Sequence, residues 1–100
     1  MIIFKGVNFY PHQVEQILLR QASLDHEYQI ILESDPEHGD RLVVQVESAA
    51  VLAPAVLERL RRELRDFLSL SPEIRRLPIG EIPRPQGKAV RVVDRRAGAR

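Results

Sequence analysis

The stretch "IPRPQGKAVRVVDRR", residues 82–96, concentrates the features most suited to chemistry in this 100-residue chain. Pro83 and Pro85 stiffen the approach because each ring fixes a backbone torsion, and Gly87 permits close backbone approach or a positive φ angle. Lys88 then projects from a restrained loop, where its ammonium is a suitable point charge for a phosphate or a carboxylate. On these residues alone, a surface lysine on a proline-rich turn remains the alternative.

Histidine, serine and glycine residues offer no second reactive arrangement. His12, His26 and His38 lie far apart in sequence and share no spacing with carboxylates that would converge, so we predict no metal site. The five serines stand in no nucleophile-elbow motif, and the five glycines are scattered rather than gathered into a phosphate-binding loop. The absence of cysteine excludes a thiolate metal site and a cysteine nucleophile.

Charge and hydropathy give no sign of a nucleic-acid or membrane partner. The net charge is +1, and the arginines of "ERLRREL" alternate with Glu58 and Glu63, as is typical of a solvated helix face. Phe4 and Tyr28 are the only aromatic residues in predicted strands, which is a poor platform for stacking RNA bases. No apolar run approaches the roughly 20 residues that span a bilayer, and the N-terminus does not resemble a signal peptide. We therefore expect a cytoplasmic protein.

The elements that would position these residues follow from hydrophobic periodicity. A short strand over residues 2–4 precedes turn formers Gly6 and Asn8, and Pro11 then opens an amphipathic helix. Two alternating runs, "EYQIILES" and "RLVVQVES", surround the turn "DPEHGD" and predict a β-hairpin. Pro54 opens a second helix that ends at "SLSP", and "EIRRLPI" and "KAVRVVD" predict further strands. The apolar stripe predicted for this second helix consists of Leu57, Leu60, Leu64, Phe67 and Leu68.

The element order predicts the fold class. A βαββαβ order is satisfied by an α+β, ferredoxin-like domain, with an antiparallel four-stranded sheet and both helices on one face. A C-terminal loop bearing Lys88 and a last strand extend it, and residues 95–100, "RRAGAR", should form a solvated end. With 100 residues and no internal linker, residues 1–100 are predicted to form a single domain.

Four motifs in order resemble one family along nearly the whole chain. "IIFKGVNFYPHQVE" at residues 2–15, "YQI" at 28–30, "VQVE" at 44–47 and "IPRPQGKAVRVVDRR" at 82–96 are similar to patterns in the C-terminal domain of adenylate-forming enzymes, within the phenylacetate–CoA ligase group. Four matches with compatible spacing are far more specific than any one of them.

The resemblance implies roles for residues at two edges of the domain. Lys88 matches the lysine that contacts the substrate carboxylate and the ATP α-phosphate during adenylation, in a loop supported by Pro85, Gly87 and Arg91. Residues 5–8 match the loop that swings in for the thioester-forming half-reaction. This CoA-side loop consists of Lys5, Gly6, Val7 and Asn8.

The family pattern also implies partners that this chain does not contain. The resemblance implies a mobile C-terminal domain that completes the site of a large N-terminal ATP-binding domain, in cis or as a separate chain. The parent reaction would use ATP, magnesium and coenzyme A, with none of them bound to the isolated, inactive domain. Two departures are that Pro85-Gln86 replaces a Ser-Glu pair, and that Val90 stands where the family often has a second lysine.

Other functions stay open at this point. An adenylating synthetase that acts on a deazaflavin cofactor, within the same family, would have a similar small domain. A free-standing regulatory or binding module of ferredoxin-like topology would need no role for Lys88. An exposed sheet face could also pair two copies into a homodimer.

Overall fold

A computed structural model describes residues 2–21, 24, 27–37, 39–82 and 91–96. Within these ranges the chain forms two helices, α1 (Pro11–Leu18) and α2 (Pro54–Leu68). It also forms six strands, β1 (Ile2–Phe4), β2 (Val7–Phe9), β3 (Tyr28–Asp35), β4 (Gly39–Glu47), β5 (Glu73–Leu77) and β6 (Val92–Arg95).

The first strand is half of a small hairpin. β1 pairs antiparallel with β2, with Phe4 opposite Val7, so only Lys5 and Gly6 form the turn. Both turn residues have positive φ angles, 47° at Lys5 and 79° at Gly6, which is the geometry of the two-residue turns that suit twisted hairpins. The prediction that Asn8 forms a turn is wrong, because Asn8 pairs with Ile3 inside β2.

Both helices begin at a proline, as predicted, since the missing N–H is not needed in the first turn. At the start of α1 the Tyr10 N–H donates to the Gln13 side-chain oxygen at 2.7 Å. At the end of α2, Ser69 takes a left-handed conformation (φ 59°) and its N–H donates to the Arg65 carbonyl at 2.8 Å.

The main sheet has the strand order β5-β4-β3-β6. The predicted hairpin is confirmed as β3 and β4, which pair antiparallel from Tyr28 opposite Val46 to Asp35 opposite Gly39. Both edge strands run parallel to their neighbours, β5 to β4 and β6 to β3. The α+β class and the two helices are confirmed, but the sheet is mixed rather than wholly antiparallel. The physical reason is that α2 connects β4 to β5 as a helical crossover, which is the connection that parallel strands require. β1 pairs with β2 and therefore does not join the main sheet.

The core lies between one face of this sheet, the two helices and the β1–β2 hairpin. The buried sheet residues on this face alternate along the two central strands, and the helices contribute buried residues at helical spacing. Members of this core include Ile30, Val44, Ile17, Leu60, Leu64 and Phe9. Placement of both helices on one face follows the prediction.

One member of the predicted apolar stripe on α2 is not in the core. Leu60, Leu64 and Leu68 are buried at four-residue spacing, whereas Phe67 is 50% exposed. Successive residues of a helix point about 100° apart, so Phe67, one residue before Leu68, faces away from the seam that the leucines follow.

The opposite face of the sheet is also partly buried. Ile31 and Val43 are opposite each other in the hairpin and almost fully buried, and Glu47 lies two pleats further along β4 from Val43 on the same face. Ile82, which follows β5, is buried as well. Ile82 is the last described residue before residues 83–90.

Candidate functional site

The predicted site residues divide between the described and the undescribed parts of the chain. Lys88, Pro85 and Gly87 lie outside the described residues. Ile82 and Arg91, which flank residues 83–90, lie within them, as does the whole CoA-side loop. The structure therefore defines how the lysine-bearing segment leaves and rejoins the sheet.

Arg91 is held by three groups at the rejoining end. Its Nη1 donates to the Glu27 carboxylate at 3.0 Å and to the Tyr28 carbonyl at 3.3 Å. Its guanidinium also lies over the Tyr28 ring, 4.6 Å from the centroid. The Arg91 carbonyl accepts the Ile30 N–H at 2.7 Å and so begins the pairing that β6 continues. A planar guanidinium that stacks and donates at once holds both its own backbone and its partners in place.

Tyr28 connects this clamp to helix α1. Burial raises the pKa of its hydroxyl to about 12, and the negative charge and hydrogen bond of the Glu15 carboxylate add to the rise, while Arg91 opposes it. The ring is almost fully buried and belongs to the core. Tyr28 is therefore a neutral core residue at physiological pH, and the Arg91 guanidinium lies over its ring.

Glu47 binds the backbone of Ile82, the last described residue before the lysine-bearing segment. The Ile82 N–H donates to Glu47 Oε2 at 2.6 Å, and the two residues are 2% and 0% exposed. The end of β4 is itself fixed, since the Arg76 guanidinium donates to the hydroxyl and the carbonyl of Ser48 at 3.0 and 2.8 Å. The Ser48 N–H continues the pairing to the Leu77 carbonyl at 3.1 Å.

The CoA-side loop is an exposed hairpin tip. Lys5 and Gly6 are exposed, and the Lys5 ammonium lies over the Phe4 ring at 5.5 Å from its centroid. A Cβ added at Gly6 would meet no atom within 4 Å. Within the described chain, Gly6 is thus required by its positive φ angle rather than by crowding, and its backbone is open to an approaching molecule.

Arg96 ties this hairpin to the main sheet. It forms a two-point ion pair with Asp94, with Nη2 2.8 Å from Oδ2 and Nε 3.0 Å from Oδ1, and its Nη1 donates to the Ile3 carbonyl at 2.8 Å. The hydrogen bond from Arg96 lowers the pKa of the Asp94 carboxyl below its ordinary value. The predicted solvated end is therefore correct for the exposed Arg95 but wrong for Arg96, whose fork matches a carboxylate and a backbone carbonyl together.

The arginines of α2 lie on an exposed face, as the charge pattern predicts. Arg61 pairs with Glu58, three residues earlier, whereas Arg59 and Glu63 both bind the buried Gln21 side chain, at 3.0 and 3.2 Å. A groove of about 1260 Å³ runs from this face to the hairpin tip and includes Lys5. Its lining mixes arginines with carboxylates, so it does not define an anion site.

No group of three histidine, aspartate or glutamate side chains that could hold a metal occurs among the described residues, which include His12 but not His26 or His38. The described helices include none that is long and apolar enough to cross a membrane.

Sequence reasoning missed two of the groups that hold the flanks of the lysine segment. Tyr28 is recognisable in the sequence as an aromatic strand residue, but no local pattern marks it as the partner of Arg91. Glu47 follows three valines and a glutamine in β4, and no local pattern marks it as the partner of Ile82. The available signals were the motifs "YQI" and "VQVE", which contain Tyr28 and Glu47, and the position of Glu47 at the end of an apolar strand, where a buried carboxylate requires hydrogen-bond donors.

Comparison with known proteins identifies relatives along nearly the whole chain. Residues 6–96 match the family model described as AMP-binding enzyme C-terminal domain. The phenylacetate-coenzyme A ligase of Escherichia coli (strain K12) is 33% identical over an alignment 103 residues long, gaps included. The alignment covers 96% of this chain and 23% of that protein. The chain therefore spans about a quarter of the length of such curated relatives.

Solved structures give the same result. A crystal structure of a domain of phenylacetate-coenzyme A ligase from Bacteroides vulgatus superimposes with a TM-score of 0.83 at 36% identity, covering 96% of this chain and 92% of the other. A structure of 2-hydroxyisobutyryl-CoA ligase in complex with 2-HIB-AMP and CoA, in the thioesterification state, matches 96% of this chain and 21% of its own, with a TM-score of 0.75 at 25% identity. These matches confirm the resemblance to the phenylacetate–CoA ligase group. The chain belongs to the family of AMP-binding enzyme C-terminal domains.

Proposed function

We propose that this chain is the mobile C-terminal domain of a phenylacetate–CoA ligase-like enzyme, which supplies an adenylation lysine and a CoA-side loop to a separate ATP-binding domain. The complete enzyme would convert an acid, ATP and CoA into an acyl-CoA, AMP and diphosphate. The observation that carries this proposal is the match of 96% of the chain to ligase domains, including a ligase solved with an acyl-adenylate and CoA.

Lys88 is proposed to act in the first half-reaction. As the carboxylate oxygen attacks the α-phosphorus of ATP, negative charge accumulates on the phosphoryl oxygens, and a positioned ammonium stabilises it. Diphosphate leaves and an acyl-adenylate forms. The chain supports this role through Arg91, which is fixed three residues after Lys88 by Glu27 and Tyr28.

The hairpin tip is proposed to act in the second half-reaction. There the thiol of CoA attacks the acyl-adenylate carbonyl and AMP leaves. Gly6 is exposed, with free space around its α-carbon, so a thiol-bearing arm can pass close to the backbone of residues 5–8. Rotation of the small domain between the two half-reactions would bring each edge to the reacting atoms in turn.

ATP and magnesium are assigned to the large domain. The described residues of this chain contain no cluster of carboxylates or histidines suited to a metal, and magnesium in such enzymes is bound chiefly through substrate phosphates. The proposed contribution of this chain is one cation, one hairpin tip and the elements that hold them.

Diphosphate exchange in a reconstituted ligase tests the proposal. The chain has two lysines, Lys5 at the hairpin tip and Lys88 in the proline-rich segment, which provide a matched pair of variants. Joined to the large domain of the Escherichia coli ligase, with phenylacetate as the acid, the wild-type chain should support carboxylate-dependent exchange between ATP and diphosphate. Lys88→Ala should lower this exchange by about 100-fold or more, while Lys5→Ala should leave it near wild type. Equal exchange rates in the two variants would contradict the proposal.

A further inference from the structure

The segment that carries Lys88 leaves the sheet at a buried point. After β5 ends at Leu77, the chain turns, with the Glu81 N–H donating to the Pro78 carbonyl at 3.2 Å. Ile82 then enters the interior, where it is 2% exposed and its N–H donates to Glu47 Oε2 at 2.6 Å. Ile82 is the last described residue before Lys88. It is anchored by its buried side chain and by its backbone N–H.

The acceptor in this anchor is a fully buried carboxylate. Glu47 is 0% exposed and lies at the end of β4, opposite Leu77 of β5. Burying a carboxylate is unfavourable unless donors compensate it, and apolar residues of similar size usually serve stability as well or better. The hydrogen bond to the Ile82 N–H therefore explains a glutamate at this position better than a contribution to the stability of the core does.

The position of the Glu47 carboxylate is set by its neighbours. Ser48, the next residue, accepts two hydrogen bonds from Arg76 and donates its N–H to the Leu77 carbonyl. The end of β4 is consequently locked to β5 through both backbone and side chains. An acceptor on such a fixed strand end defines where the Ile82 backbone can lie.

We propose that Glu47 is a positioning residue for Lys88, acting through the Ile82 N–H. The inference rests on the proposed role of Lys88 in adenylation. Lys88 is six positions after Ile82, which is anchored to β4, and three positions before Arg91, which is anchored to β3. A displacement of about 1 Å at a reacting group can cost about 100-fold in rate. Releasing the Ile82 anchor should therefore impair the step that uses Lys88 and no other.

Three variants separate the role of the Glu47 carboxylate as a hydrogen-bond acceptor from the role of the volume that its side chain occupies. Glu47→Met keeps the approximate size and removes the acceptor, and Glu47→Gln keeps an acceptor oxygen without the charge. Glu33→Met is the matched control, because Glu33 lies on the same sheet face and its carboxylate pairs with Arg41 of β4 and Arg75 of β5. In the reconstituted ligase, Glu47→Met should lower ATP–diphosphate exchange by about 10- to 100-fold, the effect of losing a charge-assisted hydrogen bond.

The second half-reaction shows whether the loss is specific. With phenylacetyl-adenylate supplied directly, the rate of thioester formation with CoA should be unchanged in Glu47→Met and Glu47→Gln. Glu47→Gln should fall between wild type and Glu47→Met in the exchange assay, and Glu33→Met should match wild type in both assays. An equal loss of both half-reactions in Glu47→Met, or no loss of exchange, would overturn the inference.

A double variant distinguishes failure of this inference from failure of the proposed function. If Glu47 acts only through Lys88, Glu47→Met should add no further loss of exchange in a Lys88→Ala background. If Lys88→Ala itself leaves exchange intact, the proposed function fails. If Lys88→Ala abolishes exchange and Glu47→Met does not alter it, only the positioning role fails.

Hydrogen exchange on the 100-residue chain alone tests the anchor without any assay of activity. The Ile82 amide should be protected in wild type and should exchange at least about tenfold faster in Glu47→Met, but not in Glu33→Met. Unchanged protection of this amide in a folded Glu47→Met chain would overturn the anchoring that the inference requires.

Discussion

At the scale of single residues, Tyr28 belongs to the core and also contacts Arg91. Its ring packs in the core and lies under the Arg91 guanidinium, the charge of the Glu15 carboxylate on α1 raises the pKa of its hydroxyl, and its carbonyl accepts from Arg91. One side chain thereby relates the first helix to the strand that follows the lysine segment. The hydroxyl must stay protonated in the fold, because a tyrosinate would be buried beside a carboxylate.

The titration of Tyr28 can be predicted with its sign. Its folded pKa of about 12 lies above the ordinary 10.0, so the folded state holds the proton more tightly than the unfolded state. The stability that this provides is complete below pH 10 and is lost as the pH rises through 12. Chemical denaturation at increasing pH should therefore show a steeper alkaline loss of stability in wild type than in Tyr28→Phe.

A spectroscopic control isolates the group. In a Tyr10→Phe background, Tyr28 is the only tyrosine, and its ionisation can be followed by tyrosinate absorbance while the chain remains folded. Half-ionisation near pH 10, or identical alkaline slopes for wild type and Tyr28→Phe, would contradict the burial and the Glu15 contact.

At the scale of elements, the structure differs from the sequence prediction where pairing partners compete. The helices and the central hairpin follow from local signals: a proline at each helix start, helical spacing of leucines, and alternation on both sides of a Pro/Gly turn. β2 could not be predicted with equal ease, because "VNF" is three residues long and Asn8 is a common turn former. The positive φ angle of Lys5 allows a two-residue turn at Lys5 and Gly6, which ends before Asn8.

The same limit applies to the sheet and to the site. Whether β6 pairs beside β3, and in which direction, depends on contacts between residues about sixty positions apart, which no local pattern contains. Lys88 and the loop of residues 5–8 could be proposed from motifs, because motifs are contiguous in sequence. Glu47 and Tyr28 could not be assigned, because their partners, Ile82 and Arg91, become neighbours only in the fold.

The hairpin tip has a conformational requirement that substitutions should reveal. Gly6 has a φ of 79°, and an added Cβ would meet nothing within 4 Å. Gly6→Ala should therefore destabilise the chain by about 1 kcal/mol through backbone strain alone, and Gly6→Asn by less, because asparagine tolerates the left-handed region. Thermal or chemical denaturation of the isolated chain measures both. A larger cost for Asn than for Ala would indicate crowding at the tip and contradict the open geometry.

At the scale of the whole molecule, the two regions proposed to act in the two half-reactions are held by separate contacts. The hairpin tip is braced by its own turn and by Arg96, which bonds Ile3 and Asp94. The flanks of the lysine segment are anchored to the central strands by Glu47 and Tyr28. Because these two sets of contacts share no residue, a substitution in one region should leave the other intact. Independence of this kind is what a domain needs if it serves two half-reactions from two edges.

The two half-reactions of the reconstituted ligase, measured side by side on Lys88→Ala and Gly6→Asn, test this account most directly. Exchange between ATP and diphosphate, with phenylacetate as the acid, should fall by about 100-fold or more in Lys88→Ala and stay near wild type in Gly6→Asn. Thioester formation from supplied phenylacetyl-adenylate and CoA should fall in Gly6→Asn and stay near wild type in Lys88→Ala. A crossover of the two variants between the two assays is the predicted result. Parallel losses in both assays, for either variant, would contradict the assignment of one edge of the domain to each step.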